Sequence, residues 1–211
     1  MDKYKITFET WDKLASVYQD KFMDLNLYDD TYDIFCRYIS KTNPEILEIG
    51  CGPGNITRYI VSKRPDFRIT AIDVAPSMIN LAKKNIPAVD FQIMDCRDIH
   101  KIKGTYDGII CGFCLPYLSK QDSSDFFKNY SNLLKTDGIL YVSAINGDYL
   151  QSGFETGSTG DKAYVYYYDE DYFMEALNKY NFRLLQLIKK DFKKNDGTNQ
   201  THLIGIAQKI E

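Results

Sequence analysis

The sequence predicts an α/β protein: a doubly wound, seven-stranded, mostly parallel sheet with an antiparallel C-terminal hairpin. Three observations carry that prediction. Short apolar runs alternate with amphipathic segments between residues 45 and 143, and a glycine cluster directly follows the first run. Two further apolar runs close the chain, joined across Asn195-Asp196-Gly197. Alternation builds a parallel sheet with helices on both faces. A parallel connection needs about a dozen residues or more, so the short terminal connection with its Asn-Asp-Gly turn makes an antiparallel pair.

The elements follow in order. Trp11, Leu14, Ala15, Tyr18 and Phe22 recur at the spacing of one helix face. A second helix starts at Asp29 or Asp30 as N-cap and buries Ile34, Phe35, Tyr38 and Ile39. Residues about 1–42 thus form a helical cap. Glu45–Ile49 is the first strand, and Asn55 opens a helix carrying Ile56, Tyr59 and Ile60. Arg68–Ile72 is the second strand, followed by Pro76 at a helix start and by Met78, Leu81 and Ala82 on one face. Val89–Met94 and Tyr106–Cys111 are the third and fourth strands. A helix from about Ser119 buries Phe126, Phe127, Tyr130 and Leu134; Gly138 suits its C-terminal turn, and Ile139–Ser143 is the fifth strand. The polar, glycine-rich stretch 148–163 leads into Tyr164-Val-Tyr-Tyr-Tyr168, and 148–168 reads as a lid-like insertion. That tyrosine run is either a lid edge with alternate rings facing a pocket or an ordinary edge. Phe173, Leu177 and Tyr180 mark a last helix before the hairpin strands Arg183–Lys190 and Thr201–Gln208. The run from Lys189 to Lys194 reads as the solvated end of that hairpin.

With 211 residues the chain fits one domain, 1–211, with its cap. Such a chain buries roughly 70% of its unfolded surface. Apolar residues make up 44% and charged residues 26%, the balance of a globular protein. Lys+Arg 26 against Asp+Glu 29 leaves a net charge of −3, so no bulk basic field collects phosphate backbones and nucleic acid is disfavoured as a partner. The longest apolar run, Ile109–Leu118, is interrupted by Gly112 and Pro116 and falls short of a membrane span. The opening Met1-Asp2-Lys3-Tyr4-Lys5 lacks an apolar signal core, and the expected location is cytoplasmic. The five cysteines are unevenly spaced. Cys111-Gly-Phe-Cys114 matches C-x-x-C, but no second pair stands at zinc-ligand spacing and the motif ends a strand instead of opening a helix. No metal site is expected.

The chemistry concentrates at Ile46-Leu-Glu-Ile-Gly50-Cys-Gly52-Pro-Gly54-Asn55. Glycines between a strand and a helix allow a tight turn and bring backbone amides close to a ligand at a helix N-terminus. Asp73 closes the second strand, where a carboxylate can accept both hydroxyls of a ribose, and Asp95 closes the third. A glycine turn alone is as readily a simple strand–helix connection; two acidic strand ends beside it favour a nucleotide site.

These motifs in this order resemble the class I S-adenosylmethionine-dependent methyltransferases of small-molecule type, over about residues 8–209. The resemblance implies S-adenosylmethionine as cofactor and methyl transfer to O, N or C of a small molecule. It implies that Glu48, Gly50, Cys51, Gly52 and Asn55 wrap the methionine end, and that Asp73 holds the ribose while Val74 and Met78 flank the adenine. Asp95 and Cys96 would contact the adenine edge, Cys111 and Phe113 would follow from the fourth strand, and Tyr18 would sit near the cofactor carboxylate. Two features depart from the family: Glu48 replaces the commoner Asp, and Phe113-Cys-Leu-Pro-Tyr117 stands where relatives carry a His-rich stretch. No general base is therefore inherited.

For the acceptor pocket the candidates are Trp11, Tyr18, Phe113, Tyr117, Tyr149 and Tyr166, each also readable as core packing or a lid–sheet contact. His202, at the start of the antiparallel strand, is the candidate general base, or else a satisfied hairpin histidine. His100 reads as surface. Two rival functions stay open: a cofactor-binding regulatory or partner protein without catalysis, and a nicotinamide-dependent dehydrogenase. The second requires G-x-G-x-x-G near the chain start, whereas the loop here follows a long helical stretch.

Overall fold

The computed structural model describes residues 2–194 and 196–210. Asn195, first residue of the predicted hairpin turn, lies outside them. Helices α1 (Lys3–Lys13), α2 (Ala15–Phe22) and α3 (Asp29–Tyr38) precede β1 (Glu45–Ile49), α4 (Asn55–Lys63), β2 (Arg68–Asp73), α5 (Pro76–Asn85), β3 (Asp90–Ile93) and β4 (Tyr106–Cys111). Then come α6 (Lys120–Leu133), β5 (Leu134–Ile145), β6 (Gly153–Thr156), β7 (Lys162–Val165), α7 (Glu170–Lys179), β8 (Phe182–Lys193) and β9 (Asn199–Lys209).

Seven strands form one sheet in the order β3-β2-β1-β4-β5-β9-β8. The first five are parallel, and β9 runs antiparallel to both β5 and β8. This is the predicted doubly wound sheet with its terminal hairpin. The apolar runs are continuous because both faces are covered. On one face Leu47, Ile109, Leu140 and Val142 pack with Phe126, Phe127 and Tyr130 of α6 and Phe173 of α7. On the other, Ile46, Ile110, Ile139 and Tyr141 pack with Phe35 of α3, Ile56 and Ile60 of α4 and Ile79 of α5.

Several local expectations change. The N-terminal helix is broken at Leu14 (φ −93°, ψ 11°), so one predicted face becomes two helices that still aim Trp11 and Tyr18 at the same place. The start of α3 is capped without a side-chain bond, with Tyr28 at the N-cap position, and it buries Thr31, Tyr32, Phe35 and Cys36; Tyr38 is 40% exposed. Ile34 is only partly buried. Gly138 is not the cap of α6, which ends at Leu133; the positive φ falls on Asp137 (64°), and Leu134 already belongs to β5. Gly138 is needed for space, since a Cβ there would lie 2.8 Å from the Lys135 carbonyl oxygen.

The 148–168 segment folds as a separate antiparallel pair, β6–β7. It grips the N-terminal helix: the Tyr164 N–H donates to Thr7 Oγ1 (2.9 Å), and the Thr10 hydroxyl donates to the Lys162 carbonyl (2.8 Å). No helix among the described residues is long and apolar enough to cross a membrane.

Candidate functional site

The glycine loop bends at three positive φ values, Gly50 (71°), Gly52 (54°) and Gly54 (87°), a region that only glycine enters without strain. Space is as tight as the torsions: a Cβ on Gly50 would stand 3.2 Å from the Cys114 Cβ, and one on Gly54 would stand 2.6 Å from the Ile86 Cδ1. The loop amides, expected at a ligand, turn inward. Gly50 and Cys51 N–H both donate to the Ile72 carbonyl (2.8 and 3.0 Å), and Gly54 N–H donates to Cys51 (3.0 Å). Gly52 N–H donates to Asp73 Oδ2 (2.8 Å). Amides folded against β2 must find partners there, and these acceptors are the nearest. The loop therefore supplies clearance, and the expectation that its amides grip an amino-acid tail is corrected.

Asp73 is held by Gly52 N–H and by Ala75 N–H, which donates to Oδ1 at 2.9 Å. Each oxygen keeps a second acceptor site. Burial lifts this carboxyl above its usual range, against the pull of the Ala75 and Gly52 amides. Together with Gly50, Gly52, Val74, Met78 and Cys96, Asp73 lines a cavity of about 100 Å³ at the carboxyl ends of β1 and β2. Phe8 and Met94, which the sequence did not single out, and Cys114 of the C-x-x-C pair complete that wall.

A second cavity, of about 160 Å³, opens on the other side of Trp11, Tyr18, Phe113 and Tyr117, which face both. Trp11 meets Tyr18 and Tyr117 edge to face, both with ring centroids 5.7 Å apart, and its buried indole N–H lacks a partner. Phe22, Tyr28, Tyr32, Phe192, Gln200 and His202 form the rest of the aromatic and polar wall, with Asn55 at its edge. Asp12 fastens this cap to the nucleotide side by accepting the Ser77 N–H in the first turn of α5 (2.7 Å).

His202 does reach the active edge, opposite Ile145 at the end of β5. Its Nδ1 lies 2.7 Å from the Tyr28 hydroxyl and its Nε2 lies 3.1 Å from Gln200 Oε1. Burial pushes its pKa down to about 4, with Asp191 pulling the other way. Both ring nitrogens are thus engaged, so His202 cannot take a proton from an acceptor directly.

Other expected residues stand elsewhere. Glu48 is 1% exposed and lies beneath the loop, accepting the Thr57 hydroxyl (2.6 Å) at the start of α4; its Oε1 has no partner. Burial pushes it up to about 8. Its longer arm serves α4, not a cavity wall. Cys51 and Cys111 are likewise packed in the two cores, Cys111 by alternation along β4 and Cys51 because the loop bends it against the opposite face of the sheet. Asp95 sits beside the first cavity, with Arg97 Nε bonded to its two oxygens at 3.1 and 3.0 Å and the Arg97 guanidinium over Tyr4 (4.2 Å). Tyr149 and Tyr166 stack on one another outside both cavities (5.8 Å), since β7 lies on α1 and carries the tyrosine run away from the pocket.

Sequence reasoning missed Tyr28, Gln200 and Phe192. Phe192 had a signal: β8 continues to Lys193, and Phe192 stacks on His202 (5.7 Å), so the basic run is a half-buried strand and not a solvated end. Gln200 shares the His202 face by two-residue alternation. Tyr28 had none, lying in a turn between helices.

A parallel sheet with a glycine bend and an acid at the end of the next strand defines a nucleotide-cofactor-binding α/β protein of the doubly wound class. The family profile described as "Methyltransferase domain" matches residues 46–138. Malonyl-[acyl-carrier protein] O-methyltransferase of Bacillus anthracis is 36% identical over 119 residues, 54% of this chain and 42% of that protein. The tRNA N(3)-methylcytidine methyltransferase trm141 of Schizosaccharomyces pombe is 25% identical over 178 residues, 78% of this chain and 70% of that one. In fold, the chain matches the crystal structure of Burkholderia thailandensis 1,6-didemethyltoxoflavin-N1-methyltransferase with its bound namesake ligand and S-adenosylhomocysteine; the TM-score is 0.73 at 18% identity, covering 98% of this chain and 88% of that one. Against the malonyl enzyme and several other curated relatives, the chain spans well under half of their length. Residues 46–138 thus match a methyltransferase domain, and the chain has the fold of S-adenosylmethionine-dependent methyltransferases of known structure.

Proposed function

We propose that this protein transfers the methyl group of S-adenosylmethionine to a small, uncharged, largely aromatic acceptor. The observation that carries the reading is the pair of adjoining cavities divided by Trp11, Tyr18, Phe113 and Tyr117. The first cavity fits the cofactor: Asp73 has acceptor sites left for ribose hydroxyls, and Val74 and Met78 offer an apolar slab beside it. When bound, the cofactor supplies an activated sulfonium methyl. The aromatic partition suits a positive sulfur. Alignment in a site that excludes water contributes about 7–11 kcal/mol to such a displacement.

The second cavity would hold the acceptor. No Lys, Arg, Asp or Glu side chain stands among its described lining residues, so a charged acceptor would be desolvated without a protein counter-charge. The cap of about 1–42 covers both cavities through Trp11 and Tyr18, and the 148–168 pair braces that cap from outside. The net charge of −3 and the enclosed aromatic wall support a small-molecule partner in the cytoplasm over a nucleic acid.

Calorimetry with S-adenosylhomocysteine tests the reading: saturable binding is expected, and Asp73→Ala should weaken it by about a hundredfold, as two charge-assisted ribose bonds are lost. No binding by the wild-type chain, or an unchanged affinity in the variant, refutes it. Incorporation of labelled methyl into bulk tRNA would refute the small-molecule assignment.

A further inference from the structure

Resting on that reading, we infer that Tyr28 is the catalytic residue that takes the acceptor's proton, and that the acceptor carries an O–H or N–H nucleophile. Hydrogen-bond polarity along one chain of side chains carries the inference. Tyr167 gives its O–H to Glu155, so its oxygen is left to accept, and the Gln200 side chain adjoins that oxygen. That neighbour aims the Gln200 amide N–H₂ at Tyr167 and its Oε1 at His202. An amide oxygen only accepts, so His202 carries its hydrogen on Nε2, 3.1 Å away. Nδ1 then has a lone pair, and the Tyr28 hydroxyl at 2.7 Å must donate to it.

The Tyr28 oxygen has consequently spent its one hydrogen on His202 and can offer only lone pairs to the acceptor cavity it lines. A group facing it lowers its energy there by donating. A hydroxyl or amine does so; a carboxylate would meet a second lone pair, and a hydrocarbon would leave the oxygen unpaired. As the nucleophilic O or N forms its bond to carbon, its proton passes to the Tyr28 oxygen while the phenolic proton of Tyr28 passes to Nδ1 of His202. The imidazolium so formed keeps Nε2–H on Gln200. Burial holds His202 neutral beforehand, which keeps the Nδ1 lone pair open, and the Asp191 charge favours the imidazolium once it forms; after the product leaves, Nδ1 hands its proton back to Tyr28, which releases its own to water entering the emptied cavity. His202 acts through Tyr28 and is a positioning residue.

Full-length protein saturated with S-adenosylhomocysteine tests this without turnover. Calorimetry with 2-naphthol, naphthalene and 2-naphthoate should rank 2-naphthol at least about tenfold above the other two, the worth of one buried hydrogen bond. Tyr28→Phe should bring 2-naphthol down to naphthalene while leaving S-adenosylhomocysteine affinity unchanged. Nitrogen-15 spectra of the two histidines should show His202 neutral and protonated on Nε2 at pH 7, a readout that does not depend on the variant folding. Equal or stronger binding of 2-naphthoate or naphthalene, retained preference in Tyr28→Phe, binding of none of the three probes, or His202 protonated on Nδ1 overturns the inference. Loss of S-adenosylhomocysteine binding in the wild-type chain would instead overturn the methyltransferase reading itself.

Discussion

Replacing Glu48 by Gln separates the electrostatics of the glycine loop from its shape. The carboxyl is buried at 1% exposure under the loop, bonded through Oε2 to Thr57 and unpartnered at Oε1. Desolvation dominates and raises it to about 8, with the Thr57 hydroxyl opposing and the Asp73 charge adding to the rise. An unfolded glutamate titrates near 4.5. Below that pH both states hold the proton and the contribution to stability is fully present. Between 4.5 and about 8 the unfolded chain releases a proton that the folded chain keeps, so stability falls as pH rises. The gap corresponds to roughly 5 kcal/mol, a large part of the total stability of a domain. The amide of Glu48→Gln keeps the shape and the acceptor for Thr57 but cannot ionise. Urea midpoints from pH 5 to pH 9 should fall steeply in the wild type and much less in the variant, with the variant the more stable at pH 9. Parallel profiles, or a variant less stable at pH 9, would refute a neutral Glu48.

Two further outcomes follow from packing. Gly54→Ala should lose about 1–3 kcal/mol in urea unfolding, because the residue holds φ 87° at the start of α4 and its Cβ would meet the Ile86 Cδ1 at 2.6 Å; an unchanged midpoint counts against that geometry. Tyr166→Phe removes a hydroxyl that lies outside both cavities beside the Lys3 ammonium, so acceptor affinity should be unaffected; a drop in affinity would place Tyr166 back in the pocket.

Legibility was uneven for identifiable reasons. The strands β1, β2 and β4, the parallel sheet and its antiparallel terminal hairpin were readable because local apolar runs and connection lengths constrain them. Asp73, Val74 and Met78 were readable because they follow a strand end directly and their cavity depends on local chain direction. Glu48 ends up beneath the loop and Cys51 within it, both buried, because neighbouring positions in sequence do not say which side chains the folded sheet covers. Tyr149 and Tyr166 looked like pocket aromatics until β7 docked on α1, a contact between segments far apart in the chain.

From the amino-acid order alone came the doubly wound sheet, the reversed last strand and the place where a nucleotide would sit, since each depends on periodicity, turn chemistry and neighbours a few residues apart. Tertiary packing decided which polar atoms remain free. It turned the loop amides onto Ile72 and Asp73, closed both nitrogens of His202, and brought Tyr28 against a strand from the other end of the chain. Hydrogen bonds are satisfied by whatever stands within about 3 Å, and that proximity is set by the folded core rather than by position in the chain.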